Sequence, residues 1–288
     1  MAFGSIRPGT EALVAIKHRW DALFHLAPTE EMAIAMDFDT PEGTDMAGDQ
    51  LNVRILPAVT AQTGTDSQQF DPAGLTFETA TILNVQDTPT YKYALVALPR
   101  NLIVRLGGPD TAQLEAGYRK LGLAALDAAV DADAGSLGSG ISTVKGPGNF
   151  DKSSVLDMQG SLAAGAKNHY VPGTTEAHLK YHPSQIKYIG NIAEFANANT
   201  RGDAANPNVK GVVLKAWGMT FAETGSVLFS GGFYWNMMFD RQFAVLAWNQ
   251  RPHVLDSIDH GLSTLIRVET DFLNVEVFDQ DAVTFKSA

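Results

Sequence analysis

Cysteine is absent from the 288 residues of this chain. Its absence excludes disulfide bridges, thiolate zinc sites, iron–sulfur clusters and thiol nucleophiles. Long hydrophobic runs are also missing. The chain contains no stretch of about 18 uncharged apolar residues, which is the length needed to span a bilayer. The first residues lack the apolar core and cleavage site of a signal peptide. We therefore expect a protein that is made and folds in a cytoplasm and does not enter a membrane.

Positive charge is scarce. Lys and Arg number 21 against 32 Asp and Glu, and the formal net charge is -11. A protein that grips nucleic acid through its phosphates is expected to be basic, so tight binding of DNA or RNA is disfavoured. Hydrophobic residues make up 45% of the chain, which is enough for one large core or two modest ones.

Catalytic motifs are equally hard to find. No Gly-x-Ser-x-Gly elbow of a hydrolase occurs. The segment 146–153 is similar to a phosphate-binding loop, but Asp151 stands where the last glycine is needed, and a carboxylate there opposes phosphate binding. The aromatic and methionine run at 233–239 is typical of a core rather than of a cofactor pocket. We expect no enzymatic activity and no cofactor.

Two small polar patterns leave alternatives open. His178 and His182 lie four residues apart, but Pro183 disfavours a helix around them and no third ligand is evident. Two unconnected polar histidines are the simpler interpretation, and a metal-dependent hydrolase using both with a carboxylate is the alternative. Two Asp-x-Asp pairs are interpreted as solvated carboxylates, with calcium binding as the alternative: Asp37 with Asp39, and Asp131 with Asp133.

The first half of the chain predicts an arm, a hairpin and a long helix. Apolar residues at helical spacing, with Lys17 and Arg19 between them, predict a short amphipathic helix, and residues 27–50 predict an extended arm. Period-two alternation over 51–55 and 75–86 predicts a long hairpin with a turn-rich segment between, followed by a strand at 91–98. The helical stripe consists of Leu13, Ile16, Trp20 and Phe24.

Residues 110–134 carry the clearest helical pattern, with a capping box at the start, two apolar stripes and Gly135 at the end. A glycine-rich break at 135–150 follows. The region from 151 to 263 predicts helices near 153–167, 183–198 and 235–248 and strands near 211–219 and 226–230. The alternation from Ile266 to Val277 predicts a pair of strands that return to the first region.

The order of these segments resembles the Hong Kong 97-like capsid fold, an α+β fold of tailed double-stranded DNA bacteriophages that encapsulins share. Several loose motifs also resemble the family: residues 125–131 (ALDAAVD) the end of its spine helix, residues 211–221 its late strand unit, and residues 238–247 its final axial helix. The resemblance implies an N-terminal arm at 1–50, an E-loop hairpin at 51–98, a peripheral domain with the spine helix at 99–150 and 264–288, and an axial domain at 151–263.

The resemblance implies a major capsid subunit that self-assembles into hexamers and pentamers of an icosahedral head around double-stranded DNA. Its location would be the virion, after assembly in the host cytoplasm. Its partners would be other copies of itself, a separate scaffolding protein, a portal, a possible cement protein and packaged DNA contacted non-specifically. Some relatives cross-link a lysine of the E-loop to a neighbour, but no lysine lies between Arg54 and Lys92, so this chain is not expected to do so.

Side chains on the arm and on the hairpin are expected to contact neighbouring subunits. An isolated two-stranded ribbon is at best marginally stable in water, so it needs another surface to lie against. An encapsulin-type compartment, a tail or decoration protein and the metal-dependent hydrolase remain as alternatives. The candidate interface residues are Trp20, Phe24, Arg54, Gln62, Asp66, Phe70, Phe77 and Glu78.

Overall fold

A computed structural model describes residues 32–40, 51–55, 83–99, 108–166, 169–192, 215–259 and 263–288. Within these residues the chain is mixed helix and sheet, so the predicted α+β class is confirmed. The predicted arm helix, most of the arm and the middle of the predicted hairpin lie outside the described residues.

The longest helix, α1, covers Gly108–Ser136 and its 29 residues make a rod about 44 Å long. It confirms the helix predicted for 110–134. Near its start Leu114 packs against Leu98 and Ile266, and near its end Val130 and Ala134 pack in a second cluster. The start and the end of α1 therefore pack in two different parts of the core.

A three-stranded antiparallel sheet packs against α1. Its order is β10-β11-β3, and the strands are β3 (Thr90–Pro99), β10 (Ala244–Asp259) and β11 (Ser263–Glu276). The predicted strand at 91–98 is confirmed, and so is the return of the late segment to the first region, because β11 pairs with β3 from Ser263↔Pro99 to Phe272↔Thr90. The predicted pair of late strands is wrong in one respect: residues 263–276 form a single continuous strand.

The second sheet has seven strands and is mixed parallel and antiparallel. Its main path runs β4-β12-β9-β5-β7-β6, and β8 pairs with β9 at one side. The strands are β4 (Val144–Gly148), β5 (Ala177–Tyr181), β6 (Lys215–Ala216), β7 (Met219–Glu223), β8 (Phe229–Ser230), β9 (Phe233–Phe239) and β12 (Ala282–Ser287).

Helix α2 (Lys152–Ala166) covers this sheet with buried Val155, Met158 and Leu162, which confirms the helix predicted near 153–167. The helix predicted for 183–198 begins as a 3₁₀ turn at Pro183–Gln185 and continues as α3 (Ile186–Gly190). Residues beyond 192 of that segment lie outside the described part. The predicted strands near 211–219 and 226–230 are represented by β6 and β8.

The helix predicted near 235–248 is wrong. These residues form β9, a 3₁₀ turn at Arg241–Phe243 and the start of β10. Strand β9 is covered on both faces, because Met237 packs in the cluster with the end of α1 while Met238 packs in the cluster with α2. A strand buried on both faces reads as a continuous apolar run, which periodicity cannot distinguish from a buried helix.

Strands β1 (Leu51–Ile55) and β2 (Leu83–Asp87) pair antiparallel, from Leu51↔Asp87 to Ile55↔Leu83. The base of the predicted hairpin is thereby confirmed, and residues 56–82, which contain its turn-rich middle, lie outside the described part. Two strands carry the chain between sheets: β10 follows β9 into the three-stranded sheet, and β12 returns to the seven-stranded sheet beside β9.

Substitution of Gly135 by alanine is expected to lower the free energy of unfolding by about 2–3 kcal/mol, because overpacking against fixed atoms forces a shift. A Cβ at Gly135 would lie 2.0 Å from the backbone oxygen of Ser226, so the end of α1 and the loop before β8 would have to separate. Urea unfolding followed by circular dichroism measures the loss.

The matched control is Gly160→Ala in α2, where a new Cβ would meet nothing within 4 Å. Here the higher helix propensity of alanine should raise stability by about 0.5–1 kcal/mol. Equal effects of the two substitutions would contradict the close approach at Gly135.

Candidate functional site

Residues 32–40 are fastened to the body of the molecule by a buried carboxylate on α1. Oδ1 of Asp131 accepts hydrogen bonds from the backbone N–H groups of Ala33, Ile34 and Ala35 at 2.9, 2.5 and 3.0 Å. Its Oδ2 accepts from the hydroxyl of Thr224 at 3.2 Å, and the side chain is fully buried. Three N–H donors converge where a cation would have to lie, so the calcium interpretation of this Asp-x-Asp pair is disfavoured.

The same segment continues into the core and onto the edge of β10. Ile34, Ala35 and Phe38 are fully buried, and the ring of Phe38 lies 5.3 Å from that of Phe239. The backbone N–H of Leu246 donates to the carbonyl of Asp39 at 2.9 Å. This part of the predicted extended arm is therefore a fixed element of the fold; we call residues 32–40 the anchor segment.

Asp37 in the anchor segment meets two cationic groups from β5. Its Oδ2 lies 3.0 Å from Nδ1 of His178 and pairs with Nζ of Lys180, a side chain that is only 2% exposed. Burial by itself would raise the pKa of Asp37, but the hydrogen bonds and charges of His178 and Lys180 outweigh it and hold the pKa below its ordinary value.

Acidification should release this contact. Because the folded pKa of Asp37 lies below its usual 3.8, the ionised carboxylate contributes stability above that pH, and the contribution is lost as the pH falls through the folded pKa. We expect the difference in free energy of unfolding between the wild type and Asp37→Asn to shrink as the pH falls below about 4. Urea unfolding at each pH measures it.

The measurement compares wild type with Asp37→Asn at each pH because other carboxylates change the stability of both proteins in the opposite direction as the pH falls. Burial raises the pKa values of Asp240 and Asp281, although His169 opposes the shift in both. Protonation of these two groups at low pH stabilises the fold relative to neutral pH. A difference between wild type and Asp37→Asn that grew on acidification would contradict the assignment to Asp37.

The two histidines of the proposed hydrolase have separate partners. His178 lies in β5 against Asp37 and the ring of Phe239, and His182 follows the strand and stacks on Tyr234 with ring centroids 3.8 Å apart. The ring of His182 also accepts from the backbone N–H of Ser184 at 3.2 Å. No group of three His, Asp or Glu side chains able to hold a metal ion occurs within the part of the chain that the structure describes.

The segment similar to a phosphate loop ends in a helix cap. Asp151 precedes α2, accepts from the backbone N–H of Ser154 at 3.0 Å and from the hydroxyl of Ser153 at 2.8 Å. These bonds lower the pKa of Asp151. A carboxylate already occupies the start of α2, as expected from the sequence, and the arrangement opposes binding of a second anion.

One face of the three-stranded sheet is rich in exposed aromatic surface. Tyr91, Tyr93 and Leu95 of β3 are 45%, 62% and 52% exposed, while Leu98 from the same strand packs toward α1. On β11, Arg267 pairs with Glu269 at 2.7 Å, and its guanidinium lies over the ring of Tyr93 at 5.9 Å. Large exposed side chains arranged in this way are typical of a surface that contacts another molecule.

A second exposed aromatic cluster lies at the turn between β8 and β9. Phe229 is 59% exposed and its ring centroid lies 4.8 Å from that of Tyr234, which stacks on His182. Gly231 and Gly232 have positive φ values of 63° and 83°, which the tight turn requires and which glycine adopts without strain. No residue at this turn or on β3 was predicted from the sequence to lie in an interface.

The interface residues chosen from the sequence remain predictions. The backbone of Arg54 lies in β1 opposite Asn84, and the structure describes no contact of its side chain. The other seven lie outside the described residues: Trp20, Phe24, Gln62, Asp66, Phe70, Phe77 and Glu78.

No helix among the described residues is long and apolar enough to cross a membrane. No protein-family model matches the chain, and no curated protein sequence matches it. Solved structures do. A structure from Mycobacterium phage Che8 is 16% identical with a TM-score of 0.68, covering 90% of this chain and 92% of that one.

Two further structures come from capsids. The capsid of cyanophage P-SCSP1u is 10% identical, with a TM-score of 0.62 and coverage of 91% of this chain and 90% of that one. The mature capsid of bacteriophage PhiM1 is also 10% identical, with a TM-score of 0.65 and coverage of 91% and 89%. At such identities the likeness establishes the fold, and the fold of this chain is that of phage capsid structures.

Proposed function

We propose that this chain, which shares the fold of phage capsid structures, is the major capsid subunit of a tailed double-stranded DNA bacteriophage. The observation that carries the proposal is the likeness to a mature capsid over 91% of this chain and 89% of the other. Such coverage on both sides leaves little of either chain for a different activity, so a structural role accounts for the whole molecule.

The same proposal assigns four regions of the Hong Kong 97-like capsid fold to this chain. Residues 1–50 would be the N-terminal arm, 51–98 the E-loop hairpin, 99–150 with 264–288 the peripheral domain, and 151–263 the axial domain. The pairing of β1 with β2 supports the hairpin, and α1 against the three-stranded sheet supports the spine helix of a peripheral domain. The chain passes from β9 of the seven-stranded sheet into β10 of the three-stranded sheet, and from β11 back into β12, so the two proposed domains exchange chain twice.

Assembly would proceed through several modest contacts on each subunit. The exposed aromatic surface of β3 and the cluster at Phe229 are two places where apolar area stays in water on an isolated subunit. Covering them with sister copies in hexamers and pentamers would be favourable, at about 25 cal/mol per Å² of apolar area. Many weak contacts made at the same time stabilise a closed shell, because multivalent binding is stronger than any single contact. Each contact alone can still break and reform.

The charge of the chain fits a container for DNA. A net charge of -11 gives the packaged double-stranded DNA few fixed binding sites on the wall. A portal, a separate scaffolding protein and possibly a cement protein would be the other partners, with assembly in the host cytoplasm and the subunit's final location in the virion. Without a lysine between Arg54 and Lys92, the hairpin would hold its neighbours by non-covalent contacts.

Electron microscopy of the purified full-length protein, with and without its scaffolding protein, tests the proposal. Closed icosahedral shells are the expected result. A compact monomer that never assembles under either condition would refute it, and shells that contain co-purified enzymes would indicate an encapsulin-type compartment instead.

Deletion of Gln62–Asp71, in the middle of the predicted hairpin, is expected to leave a soluble folded subunit that assembles poorly. The deletion keeps every described residue of the packed clusters around α1 and α2, so circular dichroism and thermal unfolding should match the wild type. The yield of shells, measured by sedimentation and microscopy, should fall at least tenfold. Gly160→Ala serves as the control that assembles normally, and shells of normal size and yield from the deletion would contradict the role of the hairpin.

A further inference from the structure

Two buried aspartates lie where the chain passes between the two sheets. Asp240 follows β9 and precedes the turn that leads into β10, and it is 7% exposed. Asp281 ends the turn between β11 and β12, and it is fully buried. We call residues 240–243 and 277–281 the two crossovers. Each crossover therefore carries one carboxyl group into the interior, where a charge without a partner is costly.

The two carboxyl groups are neighbours. Phe239 pairs with Ala282 in the antiparallel ladder of β9 and β12, and one step further along that register Asp240 lies opposite Asp281. The backbone N–H of Asp240 donates to the carbonyl of Asp281 at 2.9 Å, so the pairing continues to this position. Residues directly opposite each other in an antiparallel pair have Cβ atoms about 5 Å apart. Two ionised carboxylates at that spacing repel each other.

One imidazole supplies the compensating charge that the described residues offer to this pair. Nδ1 of His169, just after α2, lies 2.5 Å from Oδ2 of Asp281. The other oxygen, Oδ1, is buried and has no hydrogen-bond partner among the described residues. Asp240 accepts from the backbone N–H of Arg241 at 2.8 Å, but the guanidinium of Arg241 lies near Asp39 instead. Even a protonated His169 would therefore leave one of the two carboxylates without a counter-charge.

The other polar groups near the pair have partners of their own. On β5, His178 and Lys180 both contact Asp37. Beside His169, the hydroxyl of Tyr170 accepts from Nε2 of Gln159 at 2.9 Å. In the same turn as Asp281, the carboxylate of Asp279 accepts from the backbone N–H of Ser142 at 2.7 Å.

Burial raises the pKa values of both aspartates, although the charge of a nearby histidine opposes the rise in each case. At Asp281 the negative charge of Asp240 adds to the rise. A proton is therefore bound more tightly at this place in the folded chain than in the unfolded one.

We propose that Asp240 and Asp281 share one proton, and that this shared proton holds the two crossovers together. While it is bound, one carboxyl group donates to the other, and the hydrogen bond uses Oδ1 of Asp281. When the proton leaves to solvent, two like charges face each other in the interior and the crossovers separate. The connection between the two sheets thus depends on pH, which is a property beyond the proposed assembly.

Asparagine at either position tests the sharing. Asp240→Asn and Asp281→Asn each remove the repulsion and keep an oxygen that accepts the existing hydrogen bond. Because the folded pKa is raised, the stability supplied by the proton is present at low pH and is lost as the pH rises through that pKa. The unfolding constant of the wild type, divided by that of either variant, should rise by up to about tenfold per pH unit above about pH 5. Urea unfolding of the full-length proteins measures these constants.

The double variant distinguishes a shared proton from two separate acids. If the proton is shared, either single substitution removes the pH dependence, and the double variant behaves like the single ones. Single variants that each remove only part of it, or ratios that do not change with pH, would overturn the sharing. Asp157→Asn, on the exposed side of α2, is the control, and its ratio to the wild type should stay constant over the same pH range.

Hydrogen exchange of the wild type gives a readout that needs no variant. After correction for the intrinsic effect of pH, the amides of residues 239–244 and 277–283 should exchange about tenfold faster once the shared proton is lost. This change should occur at the pH where the ratio of unfolding constants stops rising. Residues 155–162 of α2 should keep their protection. Unchanged protection at both crossovers up to about pH 9 would show that they do not separate.

Discussion

Replacement of Asp131 by alanine is expected to lower the free energy of unfolding of the subunit by about 4 kcal/mol, since buried donors would be left without an acceptor. A single carboxylate oxygen serves the N–H groups of Ala33, Ile34 and Ala35, and the other oxygen serves Thr224. The side chain is fully buried, so water cannot take its place without opening the core. The anchor segment should come loose before the rest of the fold.

Urea unfolding gives the loss of stability, and amide hydrogen exchange at residues 33–35 shows whether the anchor segment opens first. Asp157→Ala is the matched control, because the side chain of Asp157 is 60% exposed and pairs with Lys145 at the surface. Its effect should stay below about 1 kcal/mol. A loss for Asp131→Ala no larger than that of the control would show that the three N–H groups find other partners.

Removal of one member of the buried pair between Asp37 and Lys180 should be the second large effect. Asp37→Asn leaves the ammonium of Lys180, a residue 2% exposed, without its counter-charge. Breaking a buried ion pair in this way costs about 3–5 kcal/mol, because the remaining charge stays desolvated. Replacing both partners by uncharged residues, Asp37→Asn with Lys180→Met, should cost less than Asp37→Asn alone.

A double-mutant cycle measured by urea unfolding isolates the interaction between the two groups. His178 also contacts Asp37, so the cycle is repeated in a His178→Gln background. A double variant that loses as much stability as the sum of the two single variants would mean that the two charges do not stabilise each other.

The local pattern of apolar and polar residues was sufficient to predict the long helix α1 and the base of the hairpin. The capping box and the two apolar stripes predicted α1, because helical spacing places apolar side chains on the sides that pack. Period-two alternation predicted the base of the hairpin. The prediction failed for residues 235–248. There Met237 and Met238 point to opposite, equally apolar sides, and an apolar run of that kind carries no period.

The anchor segment was not predicted from the sequence. Both Asp-x-Asp pairs were interpreted as solvated carboxylates. That interpretation is wrong for Asp131, which is fully buried, and Asp37 is paired with a buried lysine. Asp131 and the backbone at Ala33 are 98 positions apart, and Lys180 is 143 positions from Asp37. Nothing in local spacing indicates that a carboxylate will meet an N–H group or a lysine so far along the chain.

Strand β12 has a consequence for how each subunit is made. Ala282–Ser287 lies between β4 and β9 and pairs with both, and Ser287 accepts a hydrogen bond from the buried side chain of Asn236 at 2.7 Å. On a translating ribosome, the seven-stranded sheet stays split until these residues have emerged. Nascent chains cut short by premature termination before residue 282 would lack an interior strand, so only copies translated through Ser287 could complete the seven-stranded sheet.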